Sequence, residues 1–230
     1  YGNSRATLVT NEKLYNDDPI LRRPFLGGSL ISNSGIEIQI DEINRKLILQ
    51  QTSSADWAYI VDASIDNWSL EFRGSNLGAI NQSQRFNSYG MTGCLNLHSS
   101  NFYEAEILVN DGGCEDSLNI VNSTGVLSEI TINRAYADAL DLDFSNLKLN
   151  KLAINDAGND CLDMSGGIYM VDVADLKSCG DKGISVGEAS TLNASYLILE
   201  NANIGVSSKD FSKVEILKAS LKDSIVCTEV

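Results

Sequence analysis

Apolar residues recur along the middle of this chain with a period of about 22 residues. One series, with spacings of 23, 22, 22, 22 and 22, consists of Leu95, Leu118, Leu140, Leu162, Ile184 and Val206. A second series keeps the same period in the pairs Ile107/Val109, Ile130/Ile132, Leu152/Ile154, Ala174/Leu176 and Tyr196/Ile198. Two series that share one period indicate a stacked solenoid, in which each repeat buries its apolar residues against the repeats on either side.

The local pattern within each repeat is that of a β-strand with one buried face. Apolar and polar residues alternate, as in Leu95–Leu97 and Leu140–Leu142. Turn residues such as Asp111–Gly113 and Ser165–Gly167 separate these segments, and no stretch has the pattern of a three-turn helix. The leucine-rich-repeat consensus is absent, and calcium-binding β-rolls have a much shorter period. The sequence therefore predicts an all-β fold, a right-handed parallel β-helix solenoid with about 22 residues per coil.

Two segments also resemble a known superfamily. Gly158–Gly166 and Gly180–Glu188 are similar to coils of the pectin-lyase-like superfamily, in particular to β-helix modules of large secreted or surface-attached bacterial proteins. The resemblance covers roughly residues 58–230 and implies the parallel β-helix fold. It does not imply one activity, because that superfamily holds lyases, hydrolases, epimerases, adhesins and inert spacers.

The periodicity predicts one repetitive domain with an irregular beginning. Residues 1–28 lack the repeat and are expected to form a lead-in or linker, whereas residues 29–230 are expected to form the β-helix. The first strands expected to join the stack are Ile36–Ile40, Lys46–Leu49 and Ala58–Val61. Regular coils begin at about residue 93, and we expect the solenoid to continue beyond the C-terminus, because the last partial coil has no cap.

Composition restricts the partners that this domain is expected to have. The formal net charge is −14 and the isoelectric point is about 4.4, so the chain repels phosphate backbones and no nucleic-acid ligand is expected. No apolar run reaches the ~18 residues of a membrane span, so no membrane insertion is expected. We expect the domain to be secreted or displayed at the cell surface, with further domains on the same polypeptide.

The five cysteines leave two interpretations open. Cys94 and Cys161 occupy the same coil position three coils apart, roughly 14 Å, which is too far for a disulfide. Cys114 and Cys179 each lie on the coil after one of them, so Cys94–Cys114 and Cys161–Cys179 are conceivable pairs. The alternative is that these are buried thiols that fill small gaps in the core. Cys227 has no evident partner, and none of the spacings is that of a zinc site.

The sequence predicts a cluster of acidic side chains on two neighbouring coils. Some of them point outward from the first strand of each coil, and the others lie in the turn that precedes that strand. The members of the cluster are Asp138, Asp141, Asp143, Asp160 and Asp163, with Lys182 on the next coil. Two carboxylates one coil apart, at about 4.8 Å, repel by roughly 3 kcal/mol at an effective dielectric of 20. Such stacking favours a bound cation, a raised carboxyl pKa or neutralisation by the lysine.

These residues are the candidate functional site. Calcium is the one cofactor that the five carboxylates suggest, because it is a hard cation that binds six to eight oxygens. The candidate catalytic residues are Asp141, Asp163, Asp160 and Lys182. The alternative is structural, because ladders of Asn, Asp and Ser on coil exteriors also hydrogen-bond neighbouring coils. His98, the chain's single histidine, lies two coils from the carboxylates at the edge of any shared site.

Three classes of function fit these features. The first two, an enzyme and a binding module, have a polysaccharide as the expected partner. The first is an enzyme acting on an acidic glycan, such as a lyase or epimerase with Lys182 as base. A glycoside hydrolase is implied only by the resemblance of Asp160–Asp163 to the paired-carboxylate coil of polygalacturonases, and the catalytic His and downstream Arg and Lys of that family have no counterpart in this sequence. No Arg is evident in the acidic patch, which disfavours a carboxylated substrate. The second is a glycan-binding or adhesive module whose stacking surfaces are Trp57, Trp68, Tyr103, Tyr136 and Tyr169. The third is a structural spacer in a larger surface protein.

Overall fold

Parallel β-strands wound into stacked coils make up most of this protein. A computed structural model describes residues 20–75, 85–87 and 89–230. It is 76% strand and forms about 8 turns of a β-solenoid with coils about 22 residues apart, and the described residues contain no helix. The all-β parallel solenoid predicted from the 22-residue period is confirmed, whereas its right-handed sense stays a prediction.

The strands fall into an N-terminal group of short segments and a C-terminal group of long ones. The short strands are β1 (Ile20–Phe25), β2 (Gly28–Asn33), β3 (Ile36–Asp41), β4 (Lys46–Gln51), β5 (Ala58–Val61), β6 (Ser64–Asp66), β7 (Ser69–Arg73), β8 (Gly93–His98) and β10 (Asp116–Val121). The long strands are β9 (Asn101–Gly112), β11 (Thr124–Ala135), β12 (Asp138–Ala157), β13 (Leu162–Gly187), β14 (Thr191–Ser208) and β15 (Lys213–Glu229).

Three parallel stacks run along the solenoid, and one of them is formed by β6 and the first residues of β9 and β11. We call the stack that includes β5, β8, β10 and the start of β12 the first sheet, and the stack that includes β4, β7, β9, β11 and the later part of β12 the second sheet. In the first sheet Leu140 pairs with Leu162, and Ile184 stands 22 residues further on. All three side chains are at most 1% exposed, so the predicted inward stack is confirmed.

The N-terminal end differs from the predicted parallel stacking. β1 pairs with β2, β2 with β5 and β3 with β4, and all three pairings are antiparallel. Each sheet therefore ends in an antiparallel hairpin, and the expectation that the segment beginning at Ile36 stacks as a parallel coil strand is wrong. β4 and β5 do stack parallel on the next coil. Most of the predicted lead-in, residues 1–19, lies outside the described residues, and its last part includes β1.

Left-handed backbone conformations turn the chain at the corners of the coils. One column of corners follows the first sheet, with positive φ at Ser99, Asn122, Phe144 and Gly166. Another follows the second sheet at Asp111, Arg134, Asp156, Ser178, Asn201 and Asp223. A single residue at positive φ bends the strand without a long loop, which is why several strands run continuously through a corner.

Two disulfides join neighbouring coils. Cys94 bonds to Cys114 with a Cα–Cα distance of 5.4 Å, and Cys161 bonds to Cys179 with a Cα–Cα distance of 5.3 Å. These are the two pairs considered conceivable from the spacing, and the alternative of four buried thiols is excluded. Cys227 is an exposed free thiol. Each bridge closes a loop of 20 or 18 residues, and restricting the unfolded chain in this way stabilises the fold by about 3 kcal/mol per bridge.

Candidate functional site

A row of polar side chains follows the first sheet, with one residue on each coil. We call it the polar ladder; it consists of Asn96, Asn119, Asp141, Asp163, Ser185 and Ser207. The register confirms that Asp141 stacks directly on Asp163. Asn96 is 0% exposed and Ser207 is 1% exposed, whereas the two aspartates between them are half-buried. Neutral amides and hydroxyls are buried more cheaply than carboxylates, so the ladder reaches solvent mainly at its two aspartates.

Asp138 and Asp160 connect successive coils through their carboxylates. The Asp160 backbone N–H donates to Asp138 Oδ1 at 2.8 Å, and Asn159 Nδ2 donates to the same oxygen at 2.7 Å. The Lys182 backbone N–H in turn donates to Asp160 Oδ1 at 2.9 Å. Both carboxylates are nearly fully buried. Both side chains therefore hydrogen-bond the next coil, as the structural alternative considered from the sequence requires.

Lys182 is held at the edge of the cluster by two carboxylates. Its Nζ lies 3.5 Å from Asp160 Oδ2 and also contacts the Asp181 carboxylate. Partial burial acts to lower the pKa of the ammonium, but the bonds to Asp181 and Asp160 outweigh it and leave the pKa raised. A general base must be a neutral amine, so this ion-paired ammonium is poorly suited to the lyase or epimerase role that was predicted for it.

The structure adds Asp116 to the acidic cluster. Asp116 is the register partner of Gly93 on one side and Asp138 on the other. It is 1% exposed, and in the described part of the chain its Oδ2 has no hydrogen-bond partner. Burial, reinforced by the charges of Asp138 and Glu115, raises the pKa of Asp116 to about 7. An orphaned acceptor of this kind is rare, because most buried polar atoms are hydrogen-bonded.

Asn119 donates hydrogen bonds to two carboxyls of the cluster. Its Nδ2 donates to Asp141 Oδ2 and to Asp143 Oδ2, each at 3.2 Å. Burial raises the pKa of Asp141 to about 9, and the charges of Asp116, Asp143 and Asp163 act in the same direction. Burial also raises the pKa of Asp143. Asp141 is therefore a neutral carboxylic acid at pH 7, so one member of the stacked pair carries a proton.

His98 is connected to this cluster through the same asparagine. Its ring packs edge-on against Tyr59 with centroids 4.7 Å apart, and its side chain hydrogen-bonds Asn119. Burial lowers the pKa of His98, and the hydrogen bond to Asn119 only partly offsets this effect. The imidazole is consequently neutral at pH 7. It contacts Asn119, which binds Asp141, although His98 itself lies two coils from Asp141.

A cleft of about 280 Å³ opens beside the acidic cluster at the turns before the first sheet. We call it the aromatic cleft; its lining includes Trp57, Arg85, Phe86, Met91, Thr92 and Glu115. Tyr89 packs against Trp57 with ring centroids 5.0 Å apart. Glu115 immediately precedes Asp116, and Gly93, another lining residue, is the register partner of Asp116. The wall of the cleft is therefore continuous with the acidic cluster.

The aromatic cleft contains one arginine side chain, which the sequence did not place there. Arg85 Nε lies 3.1 Å from Glu115 Oε1, and the guanidinium carbon lies 5.8 Å from the centroid of the Phe86 ring. The positive charge also acts on Asp143, where it opposes the rise in pKa. The expectation that no arginine lies near the acidic patch is wrong.

The predicted aromatic stacking face is wrong for most of its members. Tyr169 is fully buried, and its hydroxyl donates to the carbonyls of Leu142 and Gly166 at 2.9 and 2.6 Å. Trp68 is 7% exposed and packs edge-on against Phe25 at the N-terminal end. Tyr103 is 58% exposed, but it belongs to β9 in the second sheet. Trp57 lines the aromatic cleft but is only 5% exposed, so the rings that are open to a ligand there are Phe86 and Tyr89, which were not predicted.

Arg85 and its neighbours were missed because they lie in an interruption of the period. The segment between Arg73 and Gly93 is much longer than the turn between Gly112 and Asp116, which occupies the equivalent place one coil later. The break in spacing signals an insertion. Its residues have no repeat partner, so the sequence gives no register from which to position them.

The predicted calcium ligands are neighbours along the coils but do not form a metal-binding group. Within residues 20–75, 85–87 and 89–230, no three His, Cys, Asp or Glu side chains are placed so that they could hold one metal ion. Asp138 and Asp160 already accept backbone N–H groups, and Asp141 and Asp143 already share the Asn119 amide.

Comparison with known proteins adds no family to these observations. No protein-family model matches the chain, and no curated protein and no solved structure matches it. The resemblance to the pectin-lyase-like superfamily therefore extends as far as the parallel β-solenoid fold. Among the described residues, no helix is long and apolar enough to cross a membrane.

Proposed function

We propose that the half-exposed centre of the polar ladder binds and processes a polysaccharide, with Asp141 and Asp163 as the working pair of carboxyls. The observation that carries this proposal is that one carboxyl of the stack is held in its neutral form directly above another. Glycoside hydrolysis requires one carboxylic acid to protonate the leaving oxygen and one carboxylate on the other side of the bond.

The two residues take different roles in this proposal. Asp141, with its pKa raised to about 9, donates a proton to the glycosidic oxygen as that bond breaks. Asp163 attacks the sugar carbon as a carboxylate while the glycosidic bond breaks, and water, deprotonated by Asp141, then displaces Asp163 from the sugar and restores both carboxyls. Strands in neighbouring coils lie about 4.8 Å apart, close to the roughly 5–5.5 Å that separates the carboxyls of retaining enzymes. The spacing therefore favours a retaining reaction over an inverting one.

The setting that we propose is secreted or at the cell surface, in a larger polypeptide of the pectin-lyase-like kind. The two disulfides support an oxidising compartment, because such bonds persist mainly outside the cytosol. The formal charge of −14 supports a partner other than nucleic acid.

The test compares cleavage of a panel of neutral, acidic and amino polysaccharides by the wild-type protein and by two variants. We expect Asp141→Asn and Asp163→Asn each to lower turnover at least about 100-fold, as removal of an acid–base or nucleophilic group does. Asp172→Asn is the matched control, because Asp172 pairs with Lys148 on the second sheet, away from the ladder. Turnover that survives both ladder variants would refute the assignment of the pair.

A non-catalytic spacer is the second candidate, and the contacts of Asp138 and Asp160 favour it. Both carboxylates are used to hold backbone N–H groups of the next coil. The polar side chains Asn110, Asn133 and Asn155 likewise form an amide ladder on the second sheet, with 3.0 Å bonds between them. If no polysaccharide in the panel is bound or cleaved, the polar ladder has the same structural purpose as this amide ladder.

A further inference from the structure

We propose that the aromatic cleft binds a positively charged ammonium group, and that the glycan which the first sheet recognises therefore carries amino sugars. This inference rests on the proposed function and specifies its substrate class. The occupant is a 2-amino sugar unit with a free amine, whose ammonium lies against Glu115 with Asp116 behind it and whose ring packs on the aromatic residues of the cleft.

The charge around the cleft opposes the acidic glycan that the sequence suggested. Glu115, Asp116 and Asp138 lie close together there; burial raises the pKa of Asp116, and the charges of Asp138 and Glu115 act in the same direction. A uronate would add another negative charge to this set. A ligand cation would relieve the crowding, since an opposite charge within about 4–6 Å favours the ionised form of a carboxyl.

Asp116 provides a second, independent sign of a missing donor. Its side chain is almost entirely buried, yet Oδ2 lacks a hydrogen-bond partner among the described residues. Asp116 does not itself line the cleft, but three residues next to it do: Thr92, which hydrogen-bonds the Asp116 side chain, Gly93, its register partner, and Glu115, which precedes it in the chain. A cation at Glu115 would lower the cost of ionising the neighbouring Asp116 carboxyl.

The Arg85 guanidinium already occupies the position beside Glu115 that we propose for the ligand's ammonium group. The guanidinium lies between Glu115, at 3.1 Å, and the Phe86 ring, at 5.8 Å. The Arg85 side chain is 63% exposed, so a ligand cation has only to displace a solvent-screened ion pair. An ammonium in this position makes the same two interactions, one with a carboxylate and one with an aromatic face.

The aromatic rings suit a sugar as well as a cation. Phe86 lines the cleft and is 53% exposed, and Tyr89, which is 48% exposed, packs on the buried Trp57 ring with centroids 5.0 Å apart. Sugar rings present apolar C–H faces that pack against aromatic side chains, whereas a simple inorganic cation does not use them. The combination of carboxylates with aromatic rings therefore favours an amino sugar over a metal ion.

The experiment measures binding by calorimetry with three hexasaccharides, built from glucosamine, from N-acetylglucosamine and from galacturonate, and with oligolysine. We expect the glucosamine oligomer to bind at least about tenfold more tightly than the other two. Glu115→Gln should weaken its binding about tenfold, and Arg85→Gln should leave binding unchanged or tighten it, because the competing cation is gone. Asp172→Asn, which removes one negative charge from the second sheet, should bind like the wild type.

Three outcomes would overturn the inference, and two of them leave the proposed function standing. Preference for the galacturonate oligomer, with loss of binding in Arg85→Gln, would make Arg85 a carboxylate receptor. Equal binding of the acetylated and free-amine oligomers would show that the ammonium is not recognised. Binding of oligolysine in place of every sugar would identify a peptide partner and would refute the polysaccharide proposal as well.

Discussion

Protonation of Asp141 makes the stability of this domain fall as pH rises. The pKa of Asp141 is raised to about 9 in the folded protein from an ordinary value of 3.8. Between these values the folded chain keeps a proton that the unfolded chain has released, so the folded state binds more protons. Stability therefore decreases with rising pH throughout this interval, and the full contribution of the neutral carboxyl is present only below about pH 4.

The size of the effect follows from proton linkage. One fully linked proton changes the free energy of unfolding by about 1.4 kcal/mol per pH unit, so Asp141 accounts for about 2 kcal/mol between pH 7 and pH 8.5. His98 has a pKa below its ordinary 6.5 and is neutral in this interval in both states. Asp116, with a pKa of about 7, loses most of its proton at the start of the interval. A change of about 2 kcal/mol is large against a total stability of 5–15 kcal/mol.

Asp141→Asn is the informative variant. The amide oxygen of the replacement side chain can still accept the hydrogen bond from Asn119, but this side chain no longer titrates. We expect urea unfolding, followed by the fluorescence of Trp57 and Trp68, to show a wild-type loss of about 2 kcal/mol over this pH interval and a much smaller loss in the variant. Equal losses in the two proteins would mean that Asp141 is ionised in the fold, and the assignment of the proton donor would then be wrong.

Three other perturbations test the fold and the structural carboxylates. Leu162→Ala should lower the free energy of unfolding by about 2–5 kcal/mol in chemical denaturation, because the stacked coils cannot close the cavity; a loss below about 1 kcal/mol would contradict the inward stack. Asp138→Ala should cost about 1–3 kcal/mol, whereas Asp138→Asn should cost less, because an amide oxygen can still accept the Asp160 N–H; equal costs would contradict the backbone-bracing role. Replacing Cys161 and Cys179 together with Ser should cost about 3 kcal/mol in the same assay, and an unchanged midpoint would argue against the bridge.

Most of the regular coils were predictable because their period determines their neighbours, but the second series was wrong at its last coil, where Leu197 and Leu199 are buried in place of Tyr196 and Ile198. Once Leu140 and Leu162 are known to stack, Asp141 must lie over Asp163, and the cysteine pairs come within bonding distance. The repeat period does not predict how deeply the side chains of the polar ladder are buried. Alternation separates inward from outward side chains, but it does not reveal that an outward residue such as Asn96 is fully buried.

The N-terminal end and the aromatic cleft escaped prediction for a different physical reason. The alternating pattern of Ile36–Asp41 fits a parallel or an antiparallel strand equally well, because both bury alternate residues. Arg85 and Phe86 belong to an insertion without a repeat partner, so no register relates them to Glu115. The sequence also gave no reason to separate Asp138 and Asp160, which bind backbone N–H groups, from Asp141 and Asp163, which do not bind the backbone of another coil.

Equivalent positions of the polar ladder hold amides on two coils and carboxyls on the next two, so the two side-chain types can be compared directly. Asn96 and Asn119 occupy two rungs with neutral side chains that hydrogen-bond their neighbours, whereas Asp141 and Asp163 occupy the next two with acids that repel each other. An amide at position 141 would still accept from Asn119 and would remove the loss of stability that Asp141 causes as pH rises from about 4 to 9. A stability cost confined to the two half-exposed rungs is typical of residues kept for function, since stabilising substitutions at such sites cost activity. If Asp141→Asn gains stability at pH 8.5 and loses glycan processing, the carboxyl is retained for its chemistry; a gain in stability with processing intact would remove that explanation.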